Sequence, residues 1–163
     1  MAVPYLIDTN VLIAANRPPG TSIACALEAI QLLRQVQQNG ILVLDDGLRV
    51  LNEYRNHCNS SGRPNPGDEF YLWALLQYDP ALCHRIALEA HDERGFVKFP
   101  TDPALARFDP SDRKFVALSR SHPDNPAIVV AADSDWLHDE AILLTHGVRV
   151  KFLCVGESGY SSR

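Results

Sequence analysis

The sequence predicts an α/β fold of three layers, α/β/α, with a central and mostly parallel sheet. Short, continuous apolar runs, such as Ile41–Leu44, are typical of strands that are buried on both faces. Apolar stripes with the helical period separate these runs, most clearly over Ile23–Val36. Because a strand, helices and a second strand follow one another at the start of the chain, a right-handed crossover between parallel neighbours is favoured.

The length of 163 residues is enough for one domain with its own core, for which we expect residues 1–155, followed by a flexible tail, residues 156–163. The net charge of −5 does not indicate a broad nucleic-acid-binding surface, although it allows a local basic groove. No apolar run approaches the roughly 20 residues that span a bilayer, and the amino terminus lacks the pattern of a signal peptide. We therefore expect a cytoplasmic protein without membrane contact.

The residue pattern of the amino-terminal third predicts two strands and three helices. Asp45 and Asp46 directly precede the third helix and suggest a metal site, but helix capping is the better interpretation because acids favour the positive end of a helix. Thr21 or Ser22 can cap the second helix. The expected ranges are a strand at Val3–Ile7, a helix from about Asn10 to Asn16, a helix through Gln38, a strand at Ile41–Leu44 and a helix at about Gly47–Cys58.

The middle of the chain predicts an elaboration of the sheet and no second domain. Residues 59–68 are rich in Pro, Gly and Ser and should be mobile, either as a flap over a site or as a plain connector. Helices are predicted at Glu69–Gln77 and Pro80–Ala90, and a short edge strand at Gly95–Phe99.

The last third predicts alternating helices and strands again. Asp109 as N-cap and Pro110 at the first helical position indicate where the next helix begins. A β-branched strand at Ala127–Ala131 precedes a helix at Leu137–His146, and the last strand is expected at Val148–Leu153.

The four cysteines, at positions 25, 58, 83 and 154, are scattered singly along the chain. Since none forms a C-x-x-C pair, a zinc cage is not indicated. We expect all four to be reduced and partly buried. The six histidines show no metal-ligand spacing either.

Acidic residues recur where ligands bind in such folds, outside the carboxyl ends of the strands. Asp8 directly follows the first strand, and Asp133 follows the strand at Ala127–Ala131. Glu53 lies in the helix after the second strand, and Asp112 begins the inward-facing stripe of its helix. Each has a structural alternative: helix caps or turns for the three aspartates, and a solvated helix surface for Glu53.

If the sheet forms as predicted, these carboxylates converge in a partly dry cleft and repel one another. Either their pKa values rise or divalent cations neutralise them. Ligand sets made only of oxygen favour Mg²⁺ or Mn²⁺ over zinc. An acidic cluster that holds such ions suits phosphodiester hydrolysis, because the ion activates a water and stabilises the leaving oxygen.

These segments resemble the PIN-domain nuclease family, which includes the toxins of VapBC toxin–antitoxin pairs. The resemblance spans Val3 to about Leu153. It implies a PIN-like parallel sheet and cleavage of single-stranded RNA with Mg²⁺ or Mn²⁺. It also implies an antitoxin protein as partner and a homodimer. The segments that carry it are Leu6–Leu12, Glu53, Ser111–Leu118 and Val129–Trp136.

The resemblance also implies roles for single residues. Asp133 follows Ala131-Ala132 where the family often has Thr-Asn or Ser-Asn, so the polar role falls partly to Ser134. The implied catalytic and metal-binding acids are Asp8, Glu53, Asp112 and Asp133, with Asp135 as an accessory metal ligand and Thr9 and Asn10 as groups that support the ligands.

Contacts with RNA are expected from Arg113, Lys114 and Trp136. Arg113 and Lys114 belong to a basic cluster around Asp112 that could grip phosphates or form a solvated helix face. Trp136 could stack on a base or belong to the core. The alternative function is a catalytically weak PIN-like scaffold that binds RNA or a partner protein. A phosphatase or phosphoreceiver is disfavoured, because Asp8-Thr9-Asn10 lacks the D-x-D pattern.

Overall fold

A computed structural model describes residues 2–154, so the tail predicted at 156–163 lies outside the described residues. The chain alternates strands and helices as expected. The strands are β1 (Val3–Ile7), β2 (Gly40–Asp45), β3 (Cys83–Ile86), β4 (Ala90–His91), β5 (Gly95–Phe96), β6 (Ile128–Val130) and β7 (Val150–Phe152). The helices are α1 (Thr9–Ala15), α2 (Ile23–Asn39), α3 (Arg49–His57), α4 (Pro66–Leu75), α5 (Arg113–Ser121) and α6 (Ser134–Thr145), with 3₁₀ turns at Pro103–Leu105 and Pro110–Asp112.

The central sheet has five strands in the order β3-β2-β1-β6-β7, and all of its pairings are parallel. β1 lies in the middle, with Val3 opposite Gly40 of β2 and Leu6 opposite Ile128 of β6. Helices flank the sheet, as in a three-layer α/β/α fold, which confirms the predicted fold class. The chain therefore brings the carboxyl ends of β1 and β6 to one edge of the sheet.

The core lies between the sheet and its helices. Leu6 and Ile7 of β1 are inaccessible to solvent, and so are Phe115 and Val116 of α5. Each fully buried side chain of this kind stabilises the fold by roughly 1.5–3 kcal/mol. Tyr54 of α3 is also inaccessible, and its hydroxyl donates to the Ile7 carbonyl at 2.6 Å. α3 is thereby held against the end of β1.

Capping aspartates hold two of the helices. Asp45 is fully buried and accepts hydrogen bonds from the Arg49 and Val50 amides at 3.0 and 2.9 Å, so the capping interpretation is confirmed. Asp68 of α4 accepts from the Asn59 and Asn65 amides at 2.9 and 3.0 Å. Both ends of the 59–68 loop are therefore tied to one buried carboxylate, which supports the connector over the flap.

α4 lies very close to α1. The Gly67 amide donates to the Asn16 side chain at 2.7 Å, and a Cβ at Gly67 would overlap the Leu12 carbonyl oxygen. Glycine is required here by the close approach of the two helices. α4 begins earlier than the predicted Glu69, because Pro66 occupies its first turn and Asn65 and Asp68 form a capping box.

Two predicted elements were wrong. The segment Pro80–Ala90 is not a helix: its central residues form β3, which pairs with β2 from Leu42↔Cys83 to Asp45↔Ile86. The segment forms a strand because it makes backbone hydrogen bonds with the edge of β2, although its own residues favour a helix. Gly95–Phe99 does not join the central sheet either; Gly95–Phe96 pairs with Ala90–His91 in a separate antiparallel ribbon.

The prediction of four reduced cysteines was wrong for two of them. Cys25 of α2 and Cys154, just after β7, form a disulfide with a Cα–Cα distance of 5.2 Å. The partners are 129 residues apart in sequence, so only the packing of α2 beside the end of β7 brings them together. Cys58 and Cys83 are free thiols, as expected, and burial raises the pKa of both, that of Cys58 to about 12.

Within residues 2–154, no helix is both long and apolar enough to cross a membrane.

Candidate functional site

Four carboxylates from four elements lie near the carboxyl ends of β1 and β6. Asp8 follows β1 and caps α1, with its side chain accepting from the Asn10 amide at 3.1 Å. Asp133 follows β6 and caps α6. Glu53 lies in α3, and Asp112 ends a 3₁₀ turn at the start of α5. We call these four residues the acidic centre.

Asp8 carries the strongest electrostatic signature of the acidic centre. Its side chain is almost inaccessible, at 4% exposure. Burial raises the pKa of Asp8 well above its ordinary value, and the charges of Asp112, Glu53 and Asp133 raise it further. The hydrogen bond from the Asn10 amide acts in the opposite direction. Asp112, Glu53 and Asp133 therefore lie close enough to Asp8 to disfavour its ionised form.

Asp112 shows the same effect from the other side of the centre. Burial, together with the charges of Asp109, Glu53 and Asp133, raises the pKa of Asp112 to about 7. The nearby Lys114 ammonium lowers this pKa but does not cancel the repulsion. A carboxyl group with this pKa exchanges its proton near neutral pH, as a general acid or base requires.

Glu53 is paired with a cation from the chain itself. The Lys114 ammonium donates to Glu53 Oε1 at 2.8 Å and also to the Ser111 carbonyl, and the Thr9 hydroxyl donates to Glu53 Oε2. Both side chains of the ion pair are largely buried. Lys114 thus supplies positive charge inside the acidic centre.

Asn10 connects the ends of β1 and β6. Its side-chain oxygen accepts from the Ala131 amide at 2.8 Å, and its Nδ2 donates to Asp133 Oδ2 at 3.4 Å. Asp133 Oδ1 accepts from the Asp135 amide at 2.8 Å. Asn10 and Thr9 therefore orient acidic side chains, the role that the resemblance assigns to them.

Within residues 2–154, no group of three or more histidine, cysteine, aspartate or glutamate side chains is arranged to hold a metal ion. The acids of the centre interact electrostatically, but they do not form a completed coordination site. Their donor chemistry does fit Mg²⁺ or Mn²⁺, because the set is made only of oxygen atoms. The pKa of Asp8 is raised first by burial and then by neighbouring carboxylates, whose repulsion a cation relieves.

Two residues that the sequence predicts to contact RNA are engaged within the protein itself. The Arg113 guanidinium is buried, donates to the carbonyls of Phe108, Arg94 and Ala106, and lies 4.7 Å above the Phe99 ring. Because its donors serve the backbone, it has a structural role. Lys114 is buried as well and binds Glu53, so its charge is directed at the acidic centre and not at a phosphate.

Trp136 is buried, and Ser134 is half-buried with an inaccessible hydroxyl oxygen. Trp136 is 1% exposed and packs edge to face against Phe108, with ring centroids 5.3 Å apart, so it belongs to the core. Among the described residues, Trp136 Nε1 and Ser134 Oγ have no hydrogen-bond partner. The predicted polar role of Ser134 beside Asp133 is therefore not seen as a hydrogen bond. Asp135 lies at the surface in the first turn of α6.

Sequence reasoning missed Lys114 as an internal cation and Tyr54 as a neighbour of the centre. Burial raises the pKa of Tyr54 well above its ordinary value, and the charges of Asp8 and Glu53 raise it further. The available signal was position: Lys114 comes two residues after Asp112, and Tyr54 directly follows Glu53. Comparisons of the chain with family models, curated proteins and solved structures find no match.

Proposed function

We propose that this protein is a PIN-like ribonuclease that hydrolyses phosphodiester bonds of single-stranded RNA with Mg²⁺ or Mn²⁺. The observation that carries the proposal is the burial of Asp8 among three other acids whose charges raise its pKa. Mutual repulsion of buried acids destabilises a fold, and strongly perturbed pKa values cluster at functional sites. The position of the acids, at the carboxyl edge of a parallel sheet, is also where such folds bind ligands.

The acidic centre divides the chemistry among its residues. Asp8, Glu53, Asp112 and Asp133 would hold the cation, with Asp135 as accessory ligand; the ion would lower the pKa of a water and offset charge on the phosphate. Without the cation the pKa of Asp112 is about 7, so binding of the cation by this carboxylate would release a proton near neutral pH. Thr9 and Asn10 keep Glu53 and Asp133 in place.

The resemblance alone supports two further parts of the proposal: a small antitoxin that covers the acidic centre, and a homodimer. The antitoxin part has a direct test. Expression of the chain alone should arrest growth, and co-expression of the adjacent gene should relieve the arrest. Harmless expression of an active nuclease would contradict the toxin assignment.

A second candidate is a catalytically weak scaffold that binds RNA or a partner protein. It is favoured by the Lys114–Glu53 ion pair, since Lys114 already neutralises one of the proposed metal ligands. The described residues also hold no completed metal site. A scaffold would keep its charges balanced in this way without any need for a divalent cation.

Cleavage assays separate the two candidates. The protein is incubated with end-labelled single-stranded RNA and Mg²⁺ or Mn²⁺, beside Asp112→Asn and the control Glu28→Gln, which removes an exposed charge on α2. The nuclease proposal expects cleavage by the parent and the control, and a loss of about a hundredfold or more in Asp112→Asn, the usual contribution of one acid or base. RNA binding without cleavage under either metal would favour the scaffold.

Metal binding is tested separately by thermal melting. Mn²⁺ should raise the melting temperature of the parent by mass action on the folded state. The rise should disappear in Asp8→Asn, which keeps the size of the side chain and an oxygen for the Asn10 amide. An equal rise in both proteins would show that the ion binds elsewhere.

A further inference from the structure

A cavity of about 430 Å³ lies directly beside the acidic centre. Asp112 belongs to both, and Asp135 of α6 also lines the cavity. Its other walls come from the irregular segment 103–109 and from the first turns of α6. The volume lies within the range of about 300–1,000 Å³ that small-molecule sites occupy.

The walls of this cavity are held rigidly although they contain little regular structure. The buried Arg113 guanidinium donates to the carbonyls of Ala106 and Phe108 at 3.1 Å. Asp102 caps the 3₁₀ turn before them and binds His146, at the far end of α6, at 2.8 Å. A surface segment that is fixed by a buried arginine keeps a preformed shape, which lowers the free-energy cost of binding a ligand.

The lining combines flat apolar surface with carboxylates. Pro103, Ala104 and Ala106 provide apolar surface, backed by the rings of Phe108 and Trp136. Carboxylates from Asp109, Asp112, Asp135 and Asp139 surround it, whereas Arg107 is the single arginine or lysine among the residues that line this cavity. An acidic cavity of this kind repels a phosphate and accepts hydrogen bonds from N–H groups.

We propose that this cavity binds one nucleobase of the RNA substrate and selects bases that carry an exocyclic amino group. The inference rests on the proposed nuclease function, because it places the base next to the acidic centre where the phosphate would react. A base is flat and uncharged, so its faces can cover the apolar wall. Its amino group can donate to a carboxylate, as the amino group of cytosine does to Asp or Glu.

Uracil is the contrasting base. At the position of the cytosine amino group it carries a carbonyl oxygen, which a carboxylate repels. Asp139 is the carboxylate best suited to a test, since it lines the cavity but is not part of the acidic centre. The Asp139 side chain is partly buried and lies 3.1 Å from the neighbouring His138 ring. Asparagine has nearly the same size, so Asp139→Asn changes the charge without changing the packing.

Binding of free nucleosides tests the inference without metal, phosphate or cleavage. The chain has two tryptophans, so an NMR spectrum of labelled protein contains two indole N–H signals, and Trp73→Phe identifies that of Trp136. Cytidine should shift the Trp136 signal and leave the Trp73 signal in place. We expect cytidine to bind about tenfold more tightly than uridine, the effect of one good polar contact to a base.

Asp139→Asn should lose most of the preference for cytidine, because an amide can donate to the uracil carbonyl as well as accept from the cytosine amino group, whereas Glu28→Gln should retain it. Equal binding of uridine and cytidine by the parent, or no shift with either, would overturn the inference even if the protein cleaves RNA. Selective cytidine binding in a protein that cleaves no RNA would support the base site and contradict the nuclease proposal.

Discussion

Two pairs of aspartates in this protein have opposite surroundings. Asp45 and Asp68 are 0% and 2% exposed, and each accepts at least two backbone N–H bonds, with a further side-chain donor from Arg49 or Asn16. Asp8 is just as buried but lies among other carboxylates, and Asp112 shares that environment.

The difference separates structural acids from candidate functional ones. Donors compensate the burial of Asp45 and Asp68, so these residues stabilise the ends of α3 and α4. Other carboxylates lie near Asp8 and Asp112, so their ionised forms destabilise the fold. Binding of a proton or of a cation relieves this repulsion. Burial alone does not distinguish Asp8 from Asp45 and Asp68, whereas the partners of each carboxylate do.

The largest effect is expected from Asp68→Ala. The change leaves the Asn59 and Asn65 amides and the Asn16 side chain without their acceptor, which should lower the free energy of unfolding by about 4 kcal/mol. Urea denaturation measures the loss, with Glu28→Ala on an exposed face of α2 as control. A loss as small as that of the control would mean that Asp68 does not anchor the loop.

Lys114→Met tests the internal cation of the acidic centre. Without the ammonium, Glu53 is a largely buried carboxylate that keeps the Thr9 hydroxyl but has lost its counter-charge, so the metal-free protein should lose about 3 kcal/mol of stability. Mn²⁺ should then raise the melting temperature more than it does in the parent, because it replaces the missing charge. If Mn²⁺ stabilises the variant no more than the parent, Lys114 and the metal do not share a site.

Asp112→Asn should change how stability depends on pH. In the folded protein the pKa of Asp112 is about 7, against an ordinary value of 3.8, so between these values the folded state binds more protons than the unfolded state. The contribution of Asp112 to the free energy of unfolding therefore falls as the pH rises from about 4 to 7. The variant should match the parent near pH 4 and exceed it by about 2 kcal/mol at pH 8 without metal.

Denaturation of both proteins over this pH range measures the difference. A constant difference between variant and parent at all pH values would show that Asp112 does not titrate in this way.

The smallest effect, and one of opposite sign, is expected from a histidine pair away from the acidic centre. The Asp124 amide donates to His122 Nδ1, so His122 carries its proton on Nε2 and donates it to His84 Nδ1 at 2.8 Å. The His122 ring must then be neutral. Burial, followed by the proximity of His84, lowers the pKa of His122 below its ordinary value of 6.5.

Below about pH 6.5 the unfolded state therefore binds a proton that the folded state does not, so stability from His122 falls with falling pH. The parent should lose about 1 kcal/mol relative to His122→Gln between pH 7.5 and 5.5. An NMR titration of the His122 ring checks the cause, since an ordinary pKa there would remove the explanation.

Much of the fold could be predicted from local patterns. The apolar run Ile41–Leu44 and the stripe of α2 predicted their elements within a few residues, because burial on both faces or along one stripe leaves a clear periodicity. β3 could not be predicted, since the segment Cys83–Ile86 becomes a strand only where the edge of β2 offers backbone partners. Its own residues do not contain that information.

The candidate site was predictable in part for the same reason. Asp8 and Asp133 follow apolar strands, so topology alone brings them to one edge of the sheet. The ion pair of Lys114 with Glu53 joins residues 61 apart, and the burial of Arg113 depends on carbonyls of a segment without regular structure. Such contacts depend on the distance and direction of side chains, which a linear pattern does not encode.

The sequence by itself determined most of the strands and helices other than β3, the parallel sheet and the acids at its carboxyl edge, because each follows from local periodicity and the handedness of crossovers. Only the tertiary structure decided which buried acids are paired with donors, which face like charges, and which cysteines are joined. Those outcomes depend on partners tens of residues away, whose distances are set by the packing of the whole core.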